Sequence, residues 1–228
     1  MPTIEANGVQ LRYELSGEGA ITIVWIHGIG SSHHAWDALL PQFPGFRHLS
    51  YDVRGMGESE GTPGPVSLEL WAQDCNALMG ALGVERAIVV GHSMGGAIAQ
   101  RLTIDFPDRV QALFLLSTSS RVGAVATAGW MRQAEEIEAT NPKLAAARRA
   151  VAKYNMDEEI KGIQVPTLII VGDKDPTTPA GGSVIMSRCI EDAELEIYPG
   201  IGHMPLNEEP KSIVRLNGWL EQFRAVAV

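Results

Sequence analysis

The stretch Gly91-His92-Ser93-Met94-Gly95-Gly96 constrains this chain more than any other. The apolar run Ala87-Ile88-Val89-Val90 leads into it, and the helix-like Ala97-Ile98-Ala99-Gln100-Arg101-Leu102 leads out. That order predicts a strand buried on both faces, a tight corner, and a helix that no proline interrupts. A serine at such a corner has a strained backbone and projects its hydroxyl out of the fold. Glycines two residues to either side remove the Cβ atoms that would collide there. Gly96 adds a further small residue where the helix must pack back on the strand. Ser93 is therefore a candidate nucleophile. The glycines do not spell G-x-G-x-x-G, and no G-K-[ST] motif occurs anywhere, so dinucleotide and P-loop readings fail.

Composition narrows the setting. With 228 residues, 45% of them hydrophobic and 20% charged, the chain is expected to form one globular domain, residues 1-228, with a substantial core. A formal net charge of -9 argues against a nucleic-acid partner, which would require clustered Lys and Arg. Cys75 and Cys189 fit no metal or redox spacing and are expected as free thiols. No run approaches the ~18 apolar residues of a membrane span, and the first residues lack the basic start and apolar stretch of a signal peptide. The expectation is a cytoplasmic protein with no membrane partner, which leaves room for a homo-oligomer.

Taken in order, the chain opens with two short runs around Asn7-Gly8, Thr3 to Ala6 and Val9 to Leu15, which predict a hairpin. Ile21 to Ile26 is a buried strand that breaks at the glycine-rich loop His27-Gly28-Ile29-Gly30-Ser31-Ser32. Trp36, Leu39, Leu40 and Phe43 then recur at helical spacing and predict a helix from about Ala35 to Phe43. Arg47 to Tyr51 is the next strand. It ends in a polar loop, Asp52 to Ser59, where Asp52 and Arg54 are expected to pin the backbone through hydrogen bonds and an ion pair. A helix from about Leu68 to Leu82 precedes the strand and corner already described, and Val110 to Ser117 is a further strand. The strand-helix alternation implies a parallel sheet with helices on both faces.

From Arg121 to Gly162 the alternation lapses. Two helical stretches are separated by Thr140-Asn141-Pro142, where Asn141 can cap and Pro142 can open the second helix. The first carries Trp130, Ala134 and Ile137 beside acidic residues, and the second carries Leu144, Ala147, Val151 and Tyr154 beside basic ones. These predict a helical pair whose apolar stripes cover the sheet edge above Ser93, with a minor charge attraction between the helices. Strands return at Val165 to Val171 and Glu194 to Tyr198, each followed by a polar loop and a helix.

A serine hydroxyl needs a base to take its proton, and the base works best when a carboxylate fixes its tautomer. Of six histidines, His203 alone stands in a glycine-flanked loop after the last strand. His27, His33, His34, His48 and His92 read as structural rather than as the base. The loop after the preceding strand offers two acids, Asp173 and Asp175.

The order Ser, Asp, His, together with His27-Gly28, Asp52-x-Arg54-Gly55-x-Gly57-x-Ser59, Gly91 to Gly96, Gly172-x-x-Asp175-x-x-x-Pro179 and Gly202-His203, resembles the α/β-hydrolase superfamily over nearly the whole chain. The resemblance implies a mostly parallel eight-stranded sheet with helices on both faces and a short helical lid, 121-162, set into a core of 1-120 and 163-228. It favours Asp175 over Asp173, giving Ser93, Asp175 and His203 as the triad. It further implies an oxyanion hole from the backbone N-H groups of Met94 and Ile29, with Gly30 as the other candidate for the second donor. No cofactor and no metal is expected. The motif wording looks most like small carboxylesterases and enol-lactone hydrolases, so the expected partner is a small-molecule ester or lactone. Carbon-carbon bond hydrolases and metal-free haloperoxidases or perhydrolases share the same triad, and a hydrolase-fold ligand-binding protein is the non-enzyme alternative. The lid looks shorter than that of many members, which implies a shallower or more open pocket. His33, His34, Trp36, Trp130 and Met131 are the candidates for lining it.

Overall fold

A computed structural model describes residues 2–62 and 64–224 and places eight strands in one sheet. In chain order they are β1 (Thr3–Ala6), β2 (Val9–Ser16), β3 (Thr22–Ile26), β4 (Arg47–Tyr51), β5 (Ala87–His92), β6 (Val110–Leu116), β7 (Thr167–Gly172) and β8 (Ala193–Tyr198). Their order across the sheet is β1-β2-β4-β3-β5-β6-β7-β8. The first two pairings, β1 with β2 and β2 with β4, are antiparallel, and every later one is parallel. The β1–β2 turn is made by Asn7 and Gly8, whose φ angles of 50° and 74° suit the handedness of a two-residue hairpin loop.

The central strands are apolar without alternation because both their faces are covered. Val24, Ile26, Val89, Leu113, Leu115 and Ile169 point to one core, shared with Trp71, Cys75 and Leu78 of α1 (Leu68–Ala81) and with Ile98 and Leu102 of α2 (Met94–Asp105). Their neighbours Ile23, Trp25, Val90, Phe114, Leu116 and Ile170 point to the other, which α7 (Pro210–Arg224) closes with Leu216, Trp219, Leu220 and Phe223. A period of two inside a continuous apolar run thus feeds two cores at once. Cys75 and Cys189 are free thiols. Among the described residues no helix is long and apolar enough to cross a membrane.

The helix expected from Ala35 to Phe43 is instead two 3-10 turns, His33–Trp36 and Leu40–Gln42. Pro41 explains the change. It has no N-H to donate within an α-helix, and its ring collides with the preceding turn, so the segment breaks where the apolar spacing alone reads as continuous. Trp36, Leu39, Leu40 and Phe43 are still all buried in the second core, so the spacing identified the right face with the wrong backbone.

Between β6 and β7 lie α3 (Ala124–Ile137) and α4 (Pro142–Val151), packed on each other. Asn141 caps α4 by accepting from the Leu144 N-H, and Pro142 opens it. Arg149 pairs with Glu138, and the Arg148 guanidinium donates to the Gln133 carbonyl at 3.0 Å, so contacts between cation and acid or carbonyl do join the two helices. The insertion's two ends are tied together by a bridge between Arg121 and Asn155, by Val122 N-H on the Tyr154 carbonyl, and by Ser120 Oγ on Asp157 at 2.5 Å.

Asp52 does pin its loop, accepting from the Glu58 N-H, the His33 N-H and His33 Nδ1, each at 2.7 Å. Arg54 departs from expectation, because its ion pair is with Asp74 of α1 and not with Asp52. Its Nε and Nη2 reach the two oxygens of Asp74 at 2.6 and 2.5 Å, and Asn7 adds a hydrogen bond to the same carboxylate. The pair is only 4% and 1% exposed and ties the first hairpin, the loop after β4 and α1 together. Removing one partner leaves a buried charge uncompensated, so Asp74→Ala should cost about 3–5 kcal/mol in urea unfolding, far more than an exposed ion pair.

Candidate active site

β5 ends at His92 and α2 begins at Met94, leaving Ser93 to turn the chain between them at φ 54° and ψ -118°. For a residue with a Cβ such a conformation costs of order 1–3 kcal/mol and persists only when its surroundings hold it. Three contacts do so. Ser93 N-H donates to the Leu116 carbonyl at 3.0 Å, Thr118 Oγ1 donates to the Ser93 carbonyl at 2.7 Å, and Gly96 N-H closes a turn on that same carbonyl. Gly95 sits against the end of β3, where an added Cβ would lie 2.1 Å from the Ile26 carbonyl oxygen. At Gly91 an added Cβ would lie 2.3 Å from the Gly95 carbonyl oxygen. The glycines are thus required by close approach of backbone to backbone.

The loops after β3, β5, β7 and β8 all leave the same edge of the sheet, because these strands are parallel. Asp175, three residues beyond the end of β7, is 5% exposed. Its Oδ1 accepts the N-H groups of Thr177 and Thr178 at 2.8 and 2.9 Å. Its Oδ2 faces the Thr178 hydroxyl at 2.7 Å and His203 Nδ1 at 2.6 Å. Burial pushes the carboxyl's pKa up, but the hydrogen bonds from His203 and Thr178 outweigh it and bring the value down to about 2. Asp173 points elsewhere: it accepts the Gly200 N-H at 2.6 Å and lies by Lys174. The two acids left open by the sequence are therefore separated by position, and His203 meets Asp175.

His203 is held through its backbone as well as its ring. The Glu208 carboxylate, at the end of α6 (Pro205–Glu208), accepts the N-H groups on either side of it, Gly202 at 2.8 Å and Met204 at 2.9 Å. The His203 carbonyl lies 3.0 Å from His92 Nε2, and the two rings are 4.6 Å apart at their centroids. A carbonyl only accepts, so that bond fixes the proton of His92 on Nε2. Burial and then the neighbouring His203 push the His92 pKa down to about 3, keeping the ring neutral. His92 also touches the loop after β3, where bare Gly28 makes room for its Nδ1 edge.

That loop is fixed at both ends. His27 is fully buried between the Gly28 carbonyl at 2.7 Å and the Val53 N-H at 3.0 Å, and burial lowers its pKa. His33 is secured by Asp52 as described above. Between them, Ile29 borders a cavity of about 620 Å³ that Ser93, Met94, Thr178, Trp130 and Tyr154 also line. Among the described residues, the N-H groups of Met94 and Ile29 donate to no backbone carbonyl, and neither does that of Gly30. Such N-H groups beside a cavity can receive a ligand's oxygen, and the start of α2 adds a favourable dipole at Met94.

Of the residues expected to line the pocket, Trp130 does. His33 is 1% exposed and committed to Asp52, and Trp36 is fully buried against Trp25, 5.1 Å between centroids, so neither reaches the cavity. Met131 is partly buried but lies off the cavity wall, one helical step round from Trp130. His34 is exposed and bonded to Asp37. Tyr154, expected with Trp130 on the apolar stripes above Ser93, lines the same cavity as Trp130 and Ser93. Sequence reasoning passed over Thr118, Thr178 and Glu208, which carry no local signal.

The chain matches the sequence profile of the α/β hydrolase fold family over residues 21–148 and belongs to that family. Among curated relatives, 3-oxoadipate enol-lactonase 1 of Acinetobacter baylyi is 25% identical over 248 residues, covering 92% of both chains. Among solved structures, a thermophilic esterase from Thermogutta terrifontis superposes with a TM-score of 0.90 at 23% identity, over 98% of this chain and 100% of that one. A hydrolase from Pseudomonas aeruginosa does so with a TM-score of 0.87 at 27% identity, over 97% of each.

The depressed Asp175 carboxyl makes a prediction with a definite sign. Its contribution to stability is complete above the unfolded carboxylate pKa of about 3.9 and is lost as pH falls through about 2. The unfolding free-energy gap between the native chain and Asp175→Asn should therefore close progressively as pH falls below about 4, measured by urea titration at each pH.

Proposed function

We propose that this protein is a serine hydrolase that cleaves a small carboxylic ester or lactone through an acyl-enzyme. One observation carries the reading. A serine held in a strained corner shares a cavity with backbone N-H groups that, among the described residues, donate to no backbone carbonyl, and a histidine whose Nδ1 is committed to a buried carboxylate lies against its neighbour His92.

The chemistry follows from those commitments. With Nδ1 donating to Asp175, the neutral His203 ring keeps its lone pair on Nε2 and acts as the base for Ser93. The Ser93 oxygen attacks the carbonyl carbon as its proton passes to His203. The N-H groups of Met94 and of Ile29, or Gly30 in its place, receive the oxyanion, and each such donor typically contributes ~2.7–4 kcal/mol in the transition state. The imidazolium gives its proton to the leaving alkoxide. Water, activated by the same ring, then attacks the acyl-enzyme and frees Ser93. Asp175, ionised throughout the working pH range, steadies the imidazolium in both halves. Among the described residues, the Ser93 hydroxyl makes no hydrogen bond of ordinary length, and catalytic hydrogen bonds of this kind commonly tighten only when substrate is bound. The enol-lactonase relative extends the candidate substrates from open-chain esters to lactones.

Ser93→Ala should abolish hydrolysis of a short-chain aryl ester and labelling by a fluorophosphonate. Asp175→Asn should lower kcat by roughly a thousandfold to ten-thousandfold, and Asp173→Asn by less than about threefold. Equal turnover by Ser93→Ala and the native chain would remove the nucleophile assignment. A panel of esters, enol-lactones and vinylogous diketones ranks the bond cleaved, and turnover of the diketones alone would replace ester hydrolysis by carbon-carbon cleavage.

A further inference from the structure

A second cavity, of about 900 Å³, lies between the loop after β4 and lid helix α4. Its lining combines apolar Val66, Leu68, Ala146 and Ala150 with charged residues of both signs, Arg54, Glu69, Glu138, Lys143, Arg149 and Lys153. Nothing in the mechanism uses it. Tyr154 belongs to the walls of both this cavity and the one that holds Ser93. Its hydroxyl is anchored on the Ser93 side, 3.2 Å from the Ser119 carbonyl and 3.3 Å from Ser119 Oγ, and Ser119 itself lines the first cavity. Burial raises the phenol's pKa, so the ring stands as a neutral, apolar slab with its polar end tied down.

We propose that Tyr154 is a specificity-determining partition, which limits the length of the substrate arm that fits beside Ser93 by closing off the second cavity. The proposal rests on the reading of the first cavity as the ester site. With the partition in place, an apolar arm has about 620 Å³ to occupy; with it removed, the arm extends over the apolar residues Val66, Leu68, Ala146 and Ala150 beyond. Each methylene buried there would add to transition-state binding, while a short ester would gain nothing, so the partition acts on the ratio between long and short substrates. The arm entering the second cavity belongs to the acyl or to the alcohol side of the ester, and two substrate series separate them: p-nitrophenyl alkanoates and alkyl acetates.

The test compares kcat/KM across both series for the native chain, Tyr154→Ala and Tyr154→Leu. In at least one series, the ratio of the ten-carbon to the four-carbon substrate should rise about tenfold or more in Tyr154→Ala, and by less in Tyr154→Leu. Adding Ala146→Trp to Tyr154→Ala refills the second cavity and should bring the ratio back to the native value. Fluorophosphonate labelling of Ser93 reports whether each variant keeps a formed site, and Tyr154→Leu carries the comparison if Tyr154→Ala does not fold. A ratio unchanged within twofold in both series would overturn the proposal, and so would a rise that survives Ala146→Trp. If the native chain hydrolyses no ester of either series and Ser93 is not labelled, the reading of the site itself fails, a result distinct from either outcome for the partition.

Discussion

The structure depends on how an unfavourable backbone at one residue is held in place. Ser93 takes a conformation that costs free energy by itself. It is retained because β6 receives its N-H, Thr118 donates to its carbonyl, and Gly95 presses against the carbonyl end of β3. Each of these contacts requires the three strands to lie in parallel register with their ends level. Sheet and corner therefore specify one another: the buried apolar strands bring the contacts together, and the contacts hold the turn that exposes the hydroxyl.

Around the corner, histidines do several kinds of work that sequence alone does not separate. His27 and His33 tie the loop after β3 to the loop after β4, His48 accepts from the Trp25 indole at 3.1 Å, and His92 bridges the corner to the final loop. Burial depresses the pKa of His27, His48 and His92, so these rings are neutral hydrogen-bonding groups. His33 and His203 are each joined through Nδ1 to a buried carboxylate, but the partner of His33 is Asp52 in the loop after β4, whereas that of His203 is Asp175, next to the Pro176–Thr178 wall of the Ser93 cavity.

Much of this was legible in the chain because it has a local signature. Continuous apolar runs give the buried strands, Asn7-Gly8 gives the hairpin, and Asn141-Pro142 gives the start of α4. The candidate site was legible through the order of Ser93, Asp175 and His203 at three strand ends. What failed was nonlocal, or was masked by a stronger pattern. The apolar spacing of Trp36 to Phe43 concealed Pro41, and Arg54 looked to nearby Asp52 when its partner was Asp74 on a helix. His33 and Trp36 seemed close to the chemistry because they follow the glycine loop, yet the 3-10 turn carries both side chains into the interior. Tyr154 lies 61 residues from Ser93 in sequence, yet its place on the apolar stripe was enough to set it above Ser93, and the two do line one cavity.

The grip on His203 is divided between groups with different tasks. Glu208 and His92 hold its main chain, whereas Asp175 holds its ring and chooses which nitrogen carries the proton. Place and protonation are therefore specified by separate parts of the chain. A fold built this way permits the carboxylate to be supplied from a different strand end without relocating the histidine, since the histidine does not depend on the carboxylate for its address.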